Sequence, residues 1–143
     1  MRSFTARTFA AALTAVVLST GIGACDRSTR ADALVVQEQS RILARFTIPQ
    51  LNGLPQVEIA TPQSHGAQTQ TGPTVRSILQ AARAADITGV RVEGRDPAQT
   101  LSAVELAGQI ILNVTKRGTL KLTGAQLDRS RWVRDVTDLV VNP

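Results

Sequence analysis

Residues 72–85 read Gly-Pro-Thr-Val-Arg-Ser-Ile-Leu-Gln-Ala-Ala-Arg-Ala-Ala, and the reading of this stretch decides the fold class. Val75, Ile78, Leu79 and Ala82 stand at i, i+3, i+4 and i+7, which gathers them on one face of an α-helix. Arg76, Gln80 and Arg83 fall opposite. Pro73 suits a first helical position, where its missing N–H costs nothing. The pattern predicts one main amphipathic helix over 73–85, with Gly89 closing the segment.

Working outward, the flanks read as strands. Val90 and Val92 alternate with Arg91 and Glu93 up to the turn at Gly94-Arg95-Asp96-Pro97. Gln109 to Val114 is a nearly continuous apolar run, fitting a central strand that Leu120 and Leu122 pair back against after the Lys116-Arg117-Gly118 turn. Ser102 with Glu105 three residues on matches a capping box for a short helical piece. At the C-terminus an irregular or helical entry through Arg131 leads to a last strand at about Val136 to Val141. Before the helix, Ala33–Gln37 and Ile42–Thr47 look like a hairpin around Gln39-Ser40-Arg41, and Gln56–Ala60 alternates with Val57 and Ile59 on one face. Ile48 to Leu54 has room for no more than a helical turn. The polar segment Thr61 to Gly72 reads as the longest loop. Mixed strands around one good helix make an α+β class, and residues 33–143 form one module.

The N-terminus reads as a targeting signal. Arg2 and Arg7 precede the uncharged run FAAALTAVVLST from Phe9 to Thr20, which is shorter than the roughly 20 residues a spanning helix needs. Ile22-Gly23-Ala24-Cys25 follows and resembles the lipobox of bacterial lipoproteins, in which the Cys thiol is acylated and the chain is cut before it. The expectation is a signal peptide over 1–24, lipidation at Cys25 (the chain's one cysteine) and a polar tether over 25–32. The protein would then sit on the extracytoplasmic side, in the periplasm or at the cell surface, anchored to membrane lipid.

Composition narrows the chemistry. Aromatic residues are 3% and Tyr is absent, so the core must be aliphatic. The net charge is +5, with 16 basic and 11 acidic side chains. Loss of Arg2 and Arg7 with the signal reduces that imbalance. The basic residues are scattered except for Arg129, Arg131 and Arg134, a pattern that suits either an anionic partner or an ordinary solvated surface. Export argues against nucleic acid as a partner. With Cys25 acylated, no thiolate nucleophile or cysteine metal site is left to the module. The one His, His65, has no second ligand at a metal-binding spacing. No G-x-S-x-G elbow or P-loop occurs. Asn113-Val114-Thr115 has the form of a glycosylation sequon, but inside an apolar strand it reads as chance.

The order FTIPQLNGLPQVEIATP, TGPTVRSILQAA, ITGVRVEG, TLSAVEL, QIILNV, GTLKLTG and RWVRDVTDLVV resembles the molybdopterin-binding domain of sulfite-oxidase-type oxidoreductases, from about Phe46 to Val141. The resemblance implies a mixed, partly barrel-like α+β fold and a redox ancestry. That family's molybdenum-ligating cysteine precedes the G-x-x-L-x-x-L-L helix; here the loop is TPQSHGAQTQT over 61–71, without Cys. The family's active-site Tyr has no counterpart either. Neither Ser64 nor His65 is a soft anionic donor. The expectation is thus a small, non-catalytic variant without cofactor, binding an extracytoplasmic protein or a small anionic ligand. A divergent molybdopterin-dependent oxidoreductase and a structural envelope lipoprotein stay open beside it. A pocket is expected near the Thr61–Gly72 loop and the N-terminal end of the 73–85 helix, where backbone N–H groups favour an anion. His65, Arg76 and Trp132 are the candidates to line it, against the alternative that His65 and Arg76 are solvated and Trp132 is core.

Overall fold

Alternation sets the first two strands. In β1 (Ala33–Glu38) Leu34 and Val36 are fully buried, and β2 (Arg41–Thr47) returns antiparallel beside it. Gln39 and Ser40 between them both take positive φ, 46° and 67°, as a two-residue hairpin turn requires. The computed structural model describes residues 33–143; the expected signal peptide and the Cys25 tether lie outside the described residues.

β1 also pairs in parallel with the last strand, β10 (Asp138–Val141), which continues antiparallel to β5 (Gly89–Glu93) and then β6 (Gln99–Ser102). The sheet order is β2-β1-β10-β5-β6, so the two ends of the described chain close at its centre. A separate hairpin joins β3 (Gln56–Ala60) to β4 (Thr69–Pro73). A third sheet has the order β7 (Ile110–Val114), β8 (Leu120–Gly124) and β9 (Val133–Arg134). The helices are α1 (Ile48–Asn52), α2 (Val75–Ala81) and α3 (Ala103–Leu106), with a 3₁₀ turn at Arg129–Arg131. Leu34, Val92 and Leu139 of the large sheet join one aliphatic core with Ile78 and Leu79 of α2 and Leu112 and Leu122 of the third sheet. Among the described residues no helix is long and apolar enough to cross a membrane.

These proportions correct the expected fold class. The described residues are mostly β, 44% strand against 17% helix, with three sheets and no dominant amphipathic helix among them. The 73–85 segment is where the α+β reading fails. Pro73 ends β4 opposite Gln56 instead of opening the helix. Thr74 is the N-cap, its hydroxyl accepting from the Ser77 N–H at 3.0 Å. At the other end Arg83 turns left-handed, φ 58°, and the Ala84 N–H reaches the Leu79 carbonyl at 3.0 Å, closing the helix after seven residues. The facial assignment nevertheless stands: Val75, Ile78, Leu79 and Ala82 are buried, and Arg76, Gln80 and Arg83 are exposed. The Ser102–Glu105 capping box is formed at α3. A second box, Thr47 with Gln50, caps α1.

The hairpin locks onto the third sheet through β4 and β7. A Cβ on Gly72 would stand 2.2 Å from the Leu112 carbonyl oxygen, so only glycine permits this approach. Asn113 donates from Nδ2 to the Thr71 carbonyl at 3.0 Å, and Thr74 bridges to Ile111. The sequon asparagine is thus a strut between two sheets.

Candidate functional site: a cationic cleft

Where the β3–β4 hairpin meets the third sheet, a cleft of about 510 Å³ opens between the 61–68 connection and the β7–β8 hairpin. Part of the expected long loop is β4, and the rest is tied down. The Thr61 N–H donates to Gln68 O at 2.7 Å and the Ser64 N–H to Thr61 O at 2.9 Å. The Gln68 side chain donates to Ser64 O at 3.2 Å. From its half-buried position Gln63 donates to the carbonyls of Gly124 and Leu127, fixing the segment to the turn after β8.

Two of the four buried polar side chains among the described residues stand at this cleft. The buried polar residues among those described are Thr61, Ser64, Gln70 and Thr123. Ser64 and Gln70 line the cleft, and Gln70 donates to the Thr61 hydroxyl at 3.3 Å. Thr123 lies two residues from Lys121 on β8, hence on the same strand face, and its Oγ1 has no hydrogen-bond partner among the described residues. Burying such groups away from water costs free energy unless they are paired, and Ser64 and Gln70 keep that buried polarity at the wall of the cleft.

The charges are all of one sign. Lys116, Lys121 and Arg129 line the cleft, with no Asp or Glu among its lining residues. Lys121 lies over the Trp132 ring, 4.6 Å from its centroid, and Trp132 Nε1 is held by the Leu127 carbonyl at 3.2 Å. Burial, then the charges of Arg129 and Arg134, hold the Lys121 ammonium below the ordinary lysine pKa. The other arginines of the C-terminal cluster are engaged elsewhere. Arg131 pairs with Glu105 and donates to Thr100 O; Arg134 makes a bidentate pair with Asp96. Arg129 has no ion pair among the described residues.

The three candidates read from the sequence therefore separate. His65 and Trp132 line this cleft, His65 exposed and Trp132 8% exposed. Arg76 does not: it is exposed on α2 and borders a different cleft of about 370 Å³, with Leu79, Asp86 and Leu106. The N-terminus of α2 is not part of the cleft either, so the expected helix-terminus contribution is absent from its lining. Sequence reasoning passed over Lys116 and Lys121. A signal for them exists, since only two of the sixteen basic residues are lysines and both border this one cleft.

The donor set does not fit a thiolate-held molybdenum. The chain's sulfur atoms are those of Met1 and Cys25, and the cleft offers hydroxyl, amide, imidazole and ammonium groups instead. No group of three or more His, Cys, Asp or Glu residues placed to hold a metal occurs among the described residues. Compared with known proteins, the chain matches no family model and no curated sequence at a significant level.

Proposed function

We propose that this chain is an exported protein anchored to membrane lipid through Cys25, and that residues 33–143 act as a non-catalytic module binding a small anionic ligand. The observation that carries the binding part is the cleft without a lining carboxylate, which Lys116, Lys121 and Arg129 line together with the buried Ser64 and Gln70. A cleft of about 510 Å³ is of the size that takes small molecules, and walls of one sign concentrate the opposite charge. Charge-assisted hydrogen bonds from ammonium and guanidinium would hold the anion, and Ser64 and Gln70 would orient it. The anchoring part rests on the lipobox-like Ile22-Gly23-Ala24-Cys25 and the apolar run before it. The order of motifs between Phe46 and Val141 supports descent from a molybdopterin-binding domain whose metal ligand has been lost.

Trp132 is the chain's one tryptophan, so its emission reports the cleft directly. Titration with inorganic phosphate and with sulfate should give saturable changes that weaken as salt rises. Arg129→Gln should weaken binding about tenfold, as expected for losing one charge-assisted contact. A Trp132 signal that never saturates, or one indifferent to Arg129→Gln, would refute this reading.

A further inference from the structure

Lys121 differs from the other cations of the cleft. It is half-buried, whereas Lys116 and Arg129 are exposed. No carboxylate pairs with it among the described residues. Arg129 lies close enough to act on its charge, and Arg134 is its register partner on β9. The Trp132 ring face favours the ammonium form, since an aromatic quadrupole attracts a cation. Burial, then the Arg129 and Arg134 charges, act the other way and lower its pKa. Desolvation and a neighbouring cation are the two conditions that turn a lysine into an amine nucleophile at moderate pH. An arginine here would supply the charge without that reactivity.

We propose that Lys121 is a covalent capture site, its Nζ condensing with the carbonyl carbon of a small anionic aldehyde or ketone held in the cleft. This rests on the anion-binding reading and names the ligand class for it. The neutral amine lone pair attacks the carbonyl carbon, forming a C–N bond, while a proton passes from nitrogen to the carbonyl oxygen. The carbinolamine then loses that oxygen as water, giving an imine. One amine and one carbonyl become one imine and one water, with no change of oxidation state. Protonation of the imine restores a cation beside the Trp132 ring, so the existing contact carries over to the product. Arg129, at the same cleft and without an ion pair among the described residues, takes the anionic group. Lys116 is an internal control: it borders the same cleft but is exposed, at the β7–β8 turn.

The test uses pyridoxal 5′-phosphate as an anionic aldehyde, borohydride to trap the imine, and peptide mass spectrometry to place the label. Pyridoxine 5′-phosphate, which lacks the aldehyde, is titrated in parallel against Trp132 emission. Lys121 should label at least severalfold faster than Lys116, because its half-buried ammonium beside Arg129 and Arg134 gives up its proton more readily than an ordinary lysine and the free amine is what reacts. The Lys121 rate should fall when pyridoxal replaces its phosphate ester, and Lys121→Arg should abolish the trapped adduct at that site. Equal labelling of both lysines, or no label on Lys121 while pyridoxine 5′-phosphate still binds, overturns covalent capture and leaves the anion site standing. Equal rates with pyridoxal and its phosphate overturn the anionic ligand class. Failure of pyridoxine 5′-phosphate to bind overturns both readings.

Discussion

Leu79 and Gln80 are adjacent in sequence and opposite in consequence. Leu79 is 1% exposed within the aliphatic core, while Gln80 faces solvent. Leu79→Ala should cost about 2–5 kcal/mol in a urea or thermal unfolding experiment, and Gln80→Ala should stay within about 0.5 kcal/mol. Equal effects would mean that the faces of α2 are misassigned. Asp96 gives the pH counterpart. Hydrogen bonds from the Arg134 side chain and backbone lower its pKa from 3.8 to about 2. A carboxyl depressed on folding contributes stability above its unfolded pKa and loses it as pH falls through its folded one. Stability should therefore decline between about pH 4 and pH 2, with Glu105 and Asp128, both also lowered, adding to the decline. Asp96→Asn should flatten part of that acid limb in urea midpoints measured across the range. At this scale the sequence was legible where periodicity governs, as at Val75 and Ile78. It was not legible where long-range placement governs: nothing near Arg76 says that it lies in a different cleft from His65.

The elements show why the α+β reading failed. Hydrophobic spacing over 73–85 is truly helical, but spacing does not say where a helix stops. The stop is Arg83 in the left-handed region, without the glycine that usually marks such a turn, and the start is moved by Pro73 pairing across to Gln56. The Thr69–Pro73 strand escaped notice because Thr-Gln-Thr-Gly-Pro has no apolar alternation. Its burial comes from docking on β7, with Gly72 against the Leu112 carbonyl. Gly72→Ala should therefore destabilise by about 1–3 kcal/mol or more, as an overpacked contact that backbone must absorb. Gly53 is the contrast. It caps α1 at φ −78°, and the nearest atom to an added Cβ is 3.4 Å away. Gly53→Ala should be neutral or should stabilise by about 0.4–1 kcal/mol, because a residue already in the right-handed region loses less entropy on folding as alanine. Thermal melts of the two variants decide the matter, and similar losses in both would contradict the β4–β7 docking account.

For the whole molecule, two claims rest on different stretches of the chain. Anchoring rests on residues 1–25 and predicts that the protein fractionates with membranes and carries lipid at Cys25. Cys25→Ala should abolish labelling by radioactive palmitate, and persistence of the label would disprove the assignment. Binding rests on the meeting of the 61–68 connection with the β7–β8 hairpin, more than 40 residues away in sequence. Such a site is hard to read from one sequence, since its cations come from separate turns and strands and look like a scattered solvated surface. His65 and Trp132 were legible as rare residues in suggestive places. The two lysines were legible only as a composition bias whose meaning appears once both border one cleft. The most direct test of the anion site is a two-dimensional NMR titration of the protein with inorganic phosphate, following backbone amides. The account predicts saturable shifts concentrated at Ser64–Thr71, Asn113–Lys116, Lys121 and Arg129–Trp132. Shifts centred on the Arg76–Ile87 cleft, or none above the level seen with sodium chloride, would contradict it.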